Sequence, residues 1–127
     1  PMNFLSATVG AGGATLAAGT FELPVPDRLK PSTRDRVGQR LIVGVRPENL
    51  FDLGRPTRGA TARLPLEVEI VEPLGHEVVV HGRIGEDLLV AKLEPHLIPK
   101  IGARIEVALE LDAIHRFDAV TERRLGA

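Results

Sequence analysis

Cysteine, tryptophan and tyrosine are absent from the 127-residue chain, and its aromatic residues are four phenylalanines. Without cysteine the chain has neither disulfides nor thiolate metal ligands, as is common in cytoplasmic proteins. Aromatic residues make up 3% of the composition, which leaves little to stack on nucleic-acid bases. The formal net charge of −1 also lacks a broad basic footprint. We therefore expect no nucleic acid among its partners.

Long hydrophobic runs are also missing. No apolar stretch approaches the roughly 20 residues that span a bilayer, and the first residues show no signal-peptide pattern. Hydrophobic residues make up 43% of the chain and charged residues 26%, which is typical of a globular protein. The length is that of one ordinary domain.

The sequence shows no catalytic motif. A phosphate-binding loop needs the pattern G-x-x-x-x-G-K-[ST], whereas the glycine-rich residues 10–15 contain no lysine and precede no long helix. This stretch is predicted to be a turn between strands. The histidines lack the close spacing of a metal site, and no serine sits in a nucleophile motif. The histidines are His76, His81, His96 and His115. The sequence thus predicts no enzymatic activity, metal or cofactor in this chain.

Short runs of alternating apolar and polar residues dominate the chain. In "LEVEIVE", Leu66, Val68 and Ile70 are expected on one face of a half-buried strand, and "RIEVALEL" alternates similarly. Further strands are predicted in "MNFLSATVG", "ATLAAG", "TFELPVP", "LIVGVR", "HEVVVHGRI" and "DLLVAKL", the last two as central strands. About eight short strands predict an all-β barrel or sandwich. Residues 25–40 and 52–63 are predicted to be surface loops.

The "LIVGVRPENL" stretch contains a distinctive corner. Pro47 removes a donor from the strand ladder and favours extended geometry at Arg46, so the strand is predicted to end there. "PENL" can then form a single helical turn with Pro47 first, and Glu48 suits that position. Arg46 is expected either to pair with Glu72 or Glu77 or to contact a partner surface. A partly buried pair would make Arg46→Ala cost about 2–4 kcal/mol, and an exposed pair about 0–1 kcal/mol.

"VEPLGHE" repeats the combination of proline, glycine and carboxylates. Glu72, Pro73, Leu74 and Gly75 have the composition of a reversing turn. The turn is expected to link a strand over 66–72 to a strand over 76–84.

Four ordered stretches together resemble a known domain: "MNFL" at 2–5, "VGVRPENL" at 43–50, "VEIVEPLGHEVVV" at 68–80 and "HRFDAVTERRL" at 115–125. They are similar to the C-terminal accessory domain, called TOBE, of ATP-binding subunits in sugar-type ABC importers. The resemblance implies an all-β, OB-like barrel of the TOBE/MOP type, built from short antiparallel strands with Pro/Gly-rich loops. Family positions with a structural or docking role correspond to Arg46, Pro47, Glu48, Glu72, Gly75, Glu77, Phe117 and Asp118. The T-G pair that usually follows F-D is Thr121-Glu122 here.

The resemblance also implies a function. Residues 1–127 would form a single C-terminal accessory domain, excised from a longer protein whose upstream ATPase domain binds ATP and magnesium. The parent would be an ATPase on the cytoplasmic face of the cell membrane that powers the import of sugars or related solutes. The domain would have a regulatory or dimer-stabilising role. Its partners would be its own ATPase domain, a second copy of the subunit, the membrane subunits indirectly, and a possible regulatory protein.

One alternative comes from related barrels of the molbindin type, which bind small oxyanions such as molybdate between subunits. The "RPE" corner and the final "FD" pair, Phe117 and Asp118, favour the sugar-importer domain.

Overall fold

Strands dominate the computed structural model, which describes residues 1–126. The strands are β1 (Asn3–Val9), β2 (Thr15–Ala18), β3 (Phe21–Pro24), β4 (Arg40–Val45), β5 (Leu50–Phe51), β6 (Thr61–Pro73), β7 (Val78–Ile84), β8 (Asp87–Leu93), β9 (Arg104–Glu110) and β10 (His115–Asp118). One four-residue α-helix, α1 (Lys30–Thr33), lies within residues 1–126. No helix in this described part of the chain is long and apolar enough to cross a membrane.

The strands form two five-stranded sheets. The first has the order β10-β4-β1-β2-β3 and the second the order β5-β9-β6-β7-β8, with antiparallel pairing throughout. The alternation predicted for "LIVGVR" is confirmed, since Leu41, Val43 and Val45 are at most 1% exposed. Their side chains join those of both sheets in one shared core. The predicted all-β, OB-like class is confirmed.

A hydrogen-bonded seam joins the two sheets at β1 and β8. Asn3 is 6% exposed, and its side-chain amide donates to the Val90 carbonyl at 2.7 Å. Its Oδ1 accepts from the Val90 amide at 2.9 Å. Nearby, the Ser6 amide donates to the Asp87 carboxylate at 3.1 Å. The prediction of β8 as a central strand is wrong for the sheet order, in which β8 is last. Its apolar composition instead reflects this seam, which covers its outer edge.

A β-bulge corrects the predicted face of β6. The register with β7 shifts between Val68 and Ile70, so one extra residue enters β6. Leu66 and Val68 are buried as predicted, but Ile70 is 49% exposed. Val71 packs against the core instead. Because side chains alternate with a period of two, one inserted residue exchanges the two faces of the strand.

The predicted surface loop over 25–40 is also more structured than expected. It contains helical turns over Asp27–Leu29, Lys30–Thr33 and Arg34–Arg36. Leu29 is 1% exposed, and Thr33 is fully buried with its hydroxyl donating to the Gly13 carbonyl at 2.8 Å. This segment therefore closes one end of the core.

Candidate docking surface

The Arg46 corner carries the chain from one sheet to the other. Arg46 is extended at φ −74° and ψ 147°, and a 3-10 turn over Pro47–Asn49 follows. The Asn49 amide donates to the Arg46 carbonyl at 2.9 Å. The chain then enters β5 in the second sheet. The predicted end of the strand and the helical turn beginning at Pro47 are both confirmed.

The ion pair predicted for Arg46 is wrong. Arg46 is exposed and forms no ion pair with any residue in 1–126. Glu72 contacts His81 across β6 and β7 at 2.7 Å, and Glu77 lies 3.8 Å from Lys92 on β8. Glu72 and Glu77 therefore contact side chains on the neighbouring strands instead of Arg46. Glu48 is exposed as well, so both charges of the corner face solvent.

A turn in "VEPLGHE" is confirmed, but it lies two residues later than predicted, because Glu72 and Pro73 still belong to β6. Residues 74–77 connect β6 to β7, and the Leu74 amide donates to the Glu77 carbonyl at 2.8 Å. Gly75 has φ +87°, a conformation that glycine adopts without the strain a Cβ would cause. The positive φ therefore explains why glycine suits this position.

Asp118 holds the last turn of the chain together. Its carboxylate accepts from the backbone amides of Val120 at 2.8 Å and Thr121 at 2.9 Å. It also pairs with Arg36 at 3.0 Å. The two backbone hydrogen bonds are the main reason why the pKa of Asp118 is lowered from its ordinary value. Asp118 therefore connects the turn after β10 to the segment over Arg34–Arg36.

Phe117 belongs to an exposed apolar surface on the outside of the first sheet. This outer face consists of Met2, Phe4, Ile42 and Phe117, with Met2 lying against Gly44. Phe4 is 51% exposed, and its ring meets that of Phe117 edge-on at a centroid distance of 6.0 Å. A hollow of about 510 Å³ lies among Phe4, Ile42 and Phe117.

Charges of both signs border the outer face, with Glu122 beside Phe117 and with Glu48 and Lys92 beside Phe4. Arg46 lies near a second hollow of about 580 Å³, which Met2 and Phe4 also line. Burial lowers the pKa of His115, and the neighbouring charges of Arg124 and Arg46 lower it further. Residues of the "MNFL", "VGVRPENL" and "HRFD" stretches, distant in sequence, are therefore neighbours on one surface. Glu72, Gly75 and Glu77 belong to the β6–β7 hairpin of the other sheet.

A second exposed apolar region was missed from the sequence. The loop after β5 and the loop after β8 enclose a groove of about 730 Å³, the loop groove. Its apolar lining includes Leu53, Pro56, Leu97, Ile98 and Pro99. Leu97 and Ile98 stand side by side in a proline-bounded loop, where alternation gives no reason for burial. These two adjacent apolar residues are the sequence feature that could have indicated an exposed apolar surface.

Two family models match the chain and together run from its first residue to β10. The MalK OB fold domain matches residues 1–50, and the TOBE domain matches residues 43–117. The second match covers more than half of the chain and contains both the Arg46 corner and the β6–β7 turn.

Curated relatives align over nearly all of the chain. The sulfoquinovosyl glycerol transport ATP-binding protein of Agrobacterium fabrum is 33% identical over 98% of this chain and 33% of its own length. The trehalose/maltose import ATP-binding protein of Thermococcus litoralis is 35% identical over 98% of this chain and 34% of its own. The sn-glycerol-3-phosphate import ATP-binding protein of Chromobacterium violaceum is 35% identical over 98% of this chain and 32% of its own length. The chain thus spans about a third of the length of these relatives.

A solved structure shares the fold. The cytoplasmic molybdate-binding protein ModG, in a crystal form with molybdate bound, superposes with a TM-score of 0.62 over 90% of this chain and 94% of its own. The sequence identity is 13%, so this likeness concerns the fold alone. The resemblance that the four sequence stretches indicated is confirmed by the family models, and the chain belongs to the TOBE domain family.

Proposed function

We propose that this chain is the C-terminal accessory domain of the ATP-binding subunit of an ABC importer for sugars or related solutes. The observation that carries the proposal is the alignment of 98% of the chain with import and transport ATP-binding proteins about three times as long. The exposed outer face and loop groove support an interaction role, since apolar surfaces of this kind mark contact sites.

The domain's work in such a subunit is to hold two copies together through the catalytic cycle. ATP and magnesium bind to the ATPase domain of the parent, and this chain contributes contacts rather than chemistry. Its partners are its own ATPase domain, a second copy of the subunit, the membrane subunits indirectly, and a regulatory protein. In the cell it lies on the cytoplasmic side of the membrane as part of the transporter complex.

The test compares the parent ATP-binding subunit with and without this domain. Nucleotide-free samples are measured by light scattering during size-exclusion chromatography, before and after addition of ATP. We expect the full subunit to remain dimeric without nucleotide and the truncated subunit to become monomeric. Equal dimerisation of both proteins without nucleotide would refute a dimer-stabilising role.

Oxyanion binding remains the alternative function. Thermal unfolding of the chain in molybdate, tungstate and sulfate separates the two proposals, because a ligand that binds only the native state raises the unfolding temperature. The importer-domain proposal predicts no shift specific to molybdate or tungstate. A saturable shift with either anion at micromolar concentration would favour the alternative.

A further inference from the structure

Arg116 is a buried arginine without a counterion among residues 1–126. It lies on β10 opposite Val43 of β4 and is 3% exposed. None of the ion pairs in this part of the chain includes it. Its Nε–H is buried and makes no hydrogen bond within the same residues. Because a buried charge without a partner is costly, arginine is seldom buried unless it is paired.

Two uncharged groups contact the Arg116 guanidinium. Its Nη1 donates to the Ser32 hydroxyl, and its Nη2 donates to the Gly126 carbonyl at 2.9 Å. Ser32 lies on α1 and is half-buried, and Gly126 is exposed, so the guanidinium lies close beneath the surface. A guanidinium has five N–H groups, and these two contacts leave donors free, the Nε–H among them. The charge of Arg116 is therefore met only by neutral acceptors.

The charges near Arg116 are positive or already paired. Burial lowers the pKa of Arg116 from its ordinary value, and the neighbouring charges of Arg28 and Arg124 lower it further. The Asp112 carboxylate pairs with Arg28 at 3.3 Å. The carboxylate of Asp118 is engaged by another arginine and by backbone amides. An anion at this point would thus meet positive charge that the described chain does not neutralise.

We propose that Arg116 is the centre of a binding site for a small inorganic oxyanion of the phosphate class, located between α1 and the turn after β10. The ion replaces the Gly126 carbonyl and reaches the free Nε–H. Hydrogen bonds from arginine to an ionised acceptor are roughly twice as strong as those between neutral groups, and the guanidinium fork matches two oxygens of a phosphate. A divalent ion gains further from the charges of Arg28 and Arg124. The site does not depend on the proposed function of the chain.

The burial of Arg116 sets the size of the ligand. With 3% of the residue exposed, the site admits a free ion more readily than a larger phosphate compound. A five-atom ion makes few contacts, so we expect a dissociation constant of about 1 mM. The molybdate-type alternative described above differs from this site because it concerns anions that bind at micromolar concentration.

Nuclear magnetic resonance of the isotope-labelled chain tests the proposal at the Arg116 Nε–H itself. Sodium phosphate is titrated to about 20 mM, with sodium chloride added to keep the ionic strength constant. We expect the Nε–H signal to shift saturably and its exchange with water to slow, because the proton gains an acceptor. The signal is assigned by its loss in Arg116→Lys. A parallel titration with sodium chloride alone is the reference.

Three variants locate the site, with the dissociation constant measured by calorimetry. Arg116→Lys keeps the charge but loses the Nε–H and the fork, and should weaken phosphate binding at least about tenfold. Arg124→Gln removes an exposed neighbouring charge and should weaken binding about two- to fivefold. The matched control is Arg63→Gln, at an exposed arginine of β6 that forms no ion pair in residues 1–126, and it should bind like the unmodified chain. Circular dichroism confirms folding, and if Arg116→Lys does not fold, the other measurements still decide.

Four results would overturn the proposal. The first is an Arg116 Nε–H signal that stays unchanged up to about 20 mM phosphate. The second is an equal shift in phosphate and in chloride, which would reflect ionic strength alone. The third is equal weakening by Arg124→Gln and Arg63→Gln, which would reflect net charge rather than a site. Tighter binding of glycerol 3-phosphate than of inorganic phosphate would overturn the assignment to a free ion. The subunit truncation described above decides the proposed function separately from all four.

Discussion

At the scale of single residues, Pro47 and Arg46 contribute differently to the corner between the two sheets. Pro47 ends the ladder and begins the turn, whereas the Arg46 side chain is exposed without an ion pair in residues 1–126. Arg46→Ala should therefore change the free energy of unfolding by no more than about 0.5 kcal/mol. Chemical denaturation measures this. A loss of about 2 kcal/mol or more would restore the partly buried pair that the sequence predicted.

Glu122 occupies the position where the resembled family usually has glycine. It has φ +61°, and no other non-glycine residue described in the structure has a positive φ. The left-handed conformation costs a side-chain-bearing residue about 1–2 kcal/mol, and glycine in turn costs about 0.5–1 kcal/mol of chain entropy. Glu122→Gly should therefore stabilise the chain by about 0.5–1 kcal/mol in denaturant unfolding. Glu122→Ala, which keeps the Cβ, is the matched control and should give no such gain.

At the scale of elements, the buried Asn3 side chain makes two of the three hydrogen bonds described above for the seam between β1 and β8. Asn3 accepts from and donates to the backbone of Val90, so Asn3→Ala leaves the partly buried amide and carbonyl of Val90 without these partners. We expect it to lower the free energy of unfolding by about 2–4 kcal/mol. Asn49→Ala is the matched control, because the Asn49 side chain makes no hydrogen bond within residues 1–126 and should cost less than about 1 kcal/mol. Similar losses for both variants would contradict the seam.

The sequence predicted most strands because their alternation records which face is buried. Prediction from the sequence failed where the structure of an element depends on a residue or strand that is distant in the chain. The bulge that exposes Ile70 lies in the pairing of β6 with β7, and the residues of β6 alone do not encode its position. Likewise, Thr33 is buried because its hydroxyl reaches the Gly13 carbonyl, twenty residues earlier in the chain. A polar, proline-containing segment carries no local sign of such a contact.

At the scale of the whole molecule, the sequence predicted several residues of the candidate site but not their arrangement in space. Arg46 and Phe117 were identified from motifs, and the structure places both at the outer face, where Phe4 shares one hollow with each. Glu72 and Glu77 were expected near Arg46 and belong instead to the hairpin of the other sheet. Which motifs become neighbours depends on how the ten strands of residues 1–126 divide between two sheets, and the alternation within each strand does not show that division.

The last prediction follows from the proposal that the ATPase domain of the parent subunit, and not this chain, binds ATP and magnesium. Residues 10–15 are the glycine-rich stretch closest in composition to a phosphate-binding loop. They contain no lysine, and the structure has a 3-10 turn over Ala11–Gly13 between β1 and β2. A nucleotide present at about 100 times its dissociation constant would stabilise the native state by about 2.7 kcal/mol. We expect magnesium-ATP to leave the unfolding temperature of this chain unchanged, and isothermal calorimetry to detect no binding at micromolar concentration. The parent ATP-binding subunit, titrated in parallel, is the positive control. A saturable shift in the isolated chain would place a nucleotide site within the accessory domain and contradict its role as a contact module.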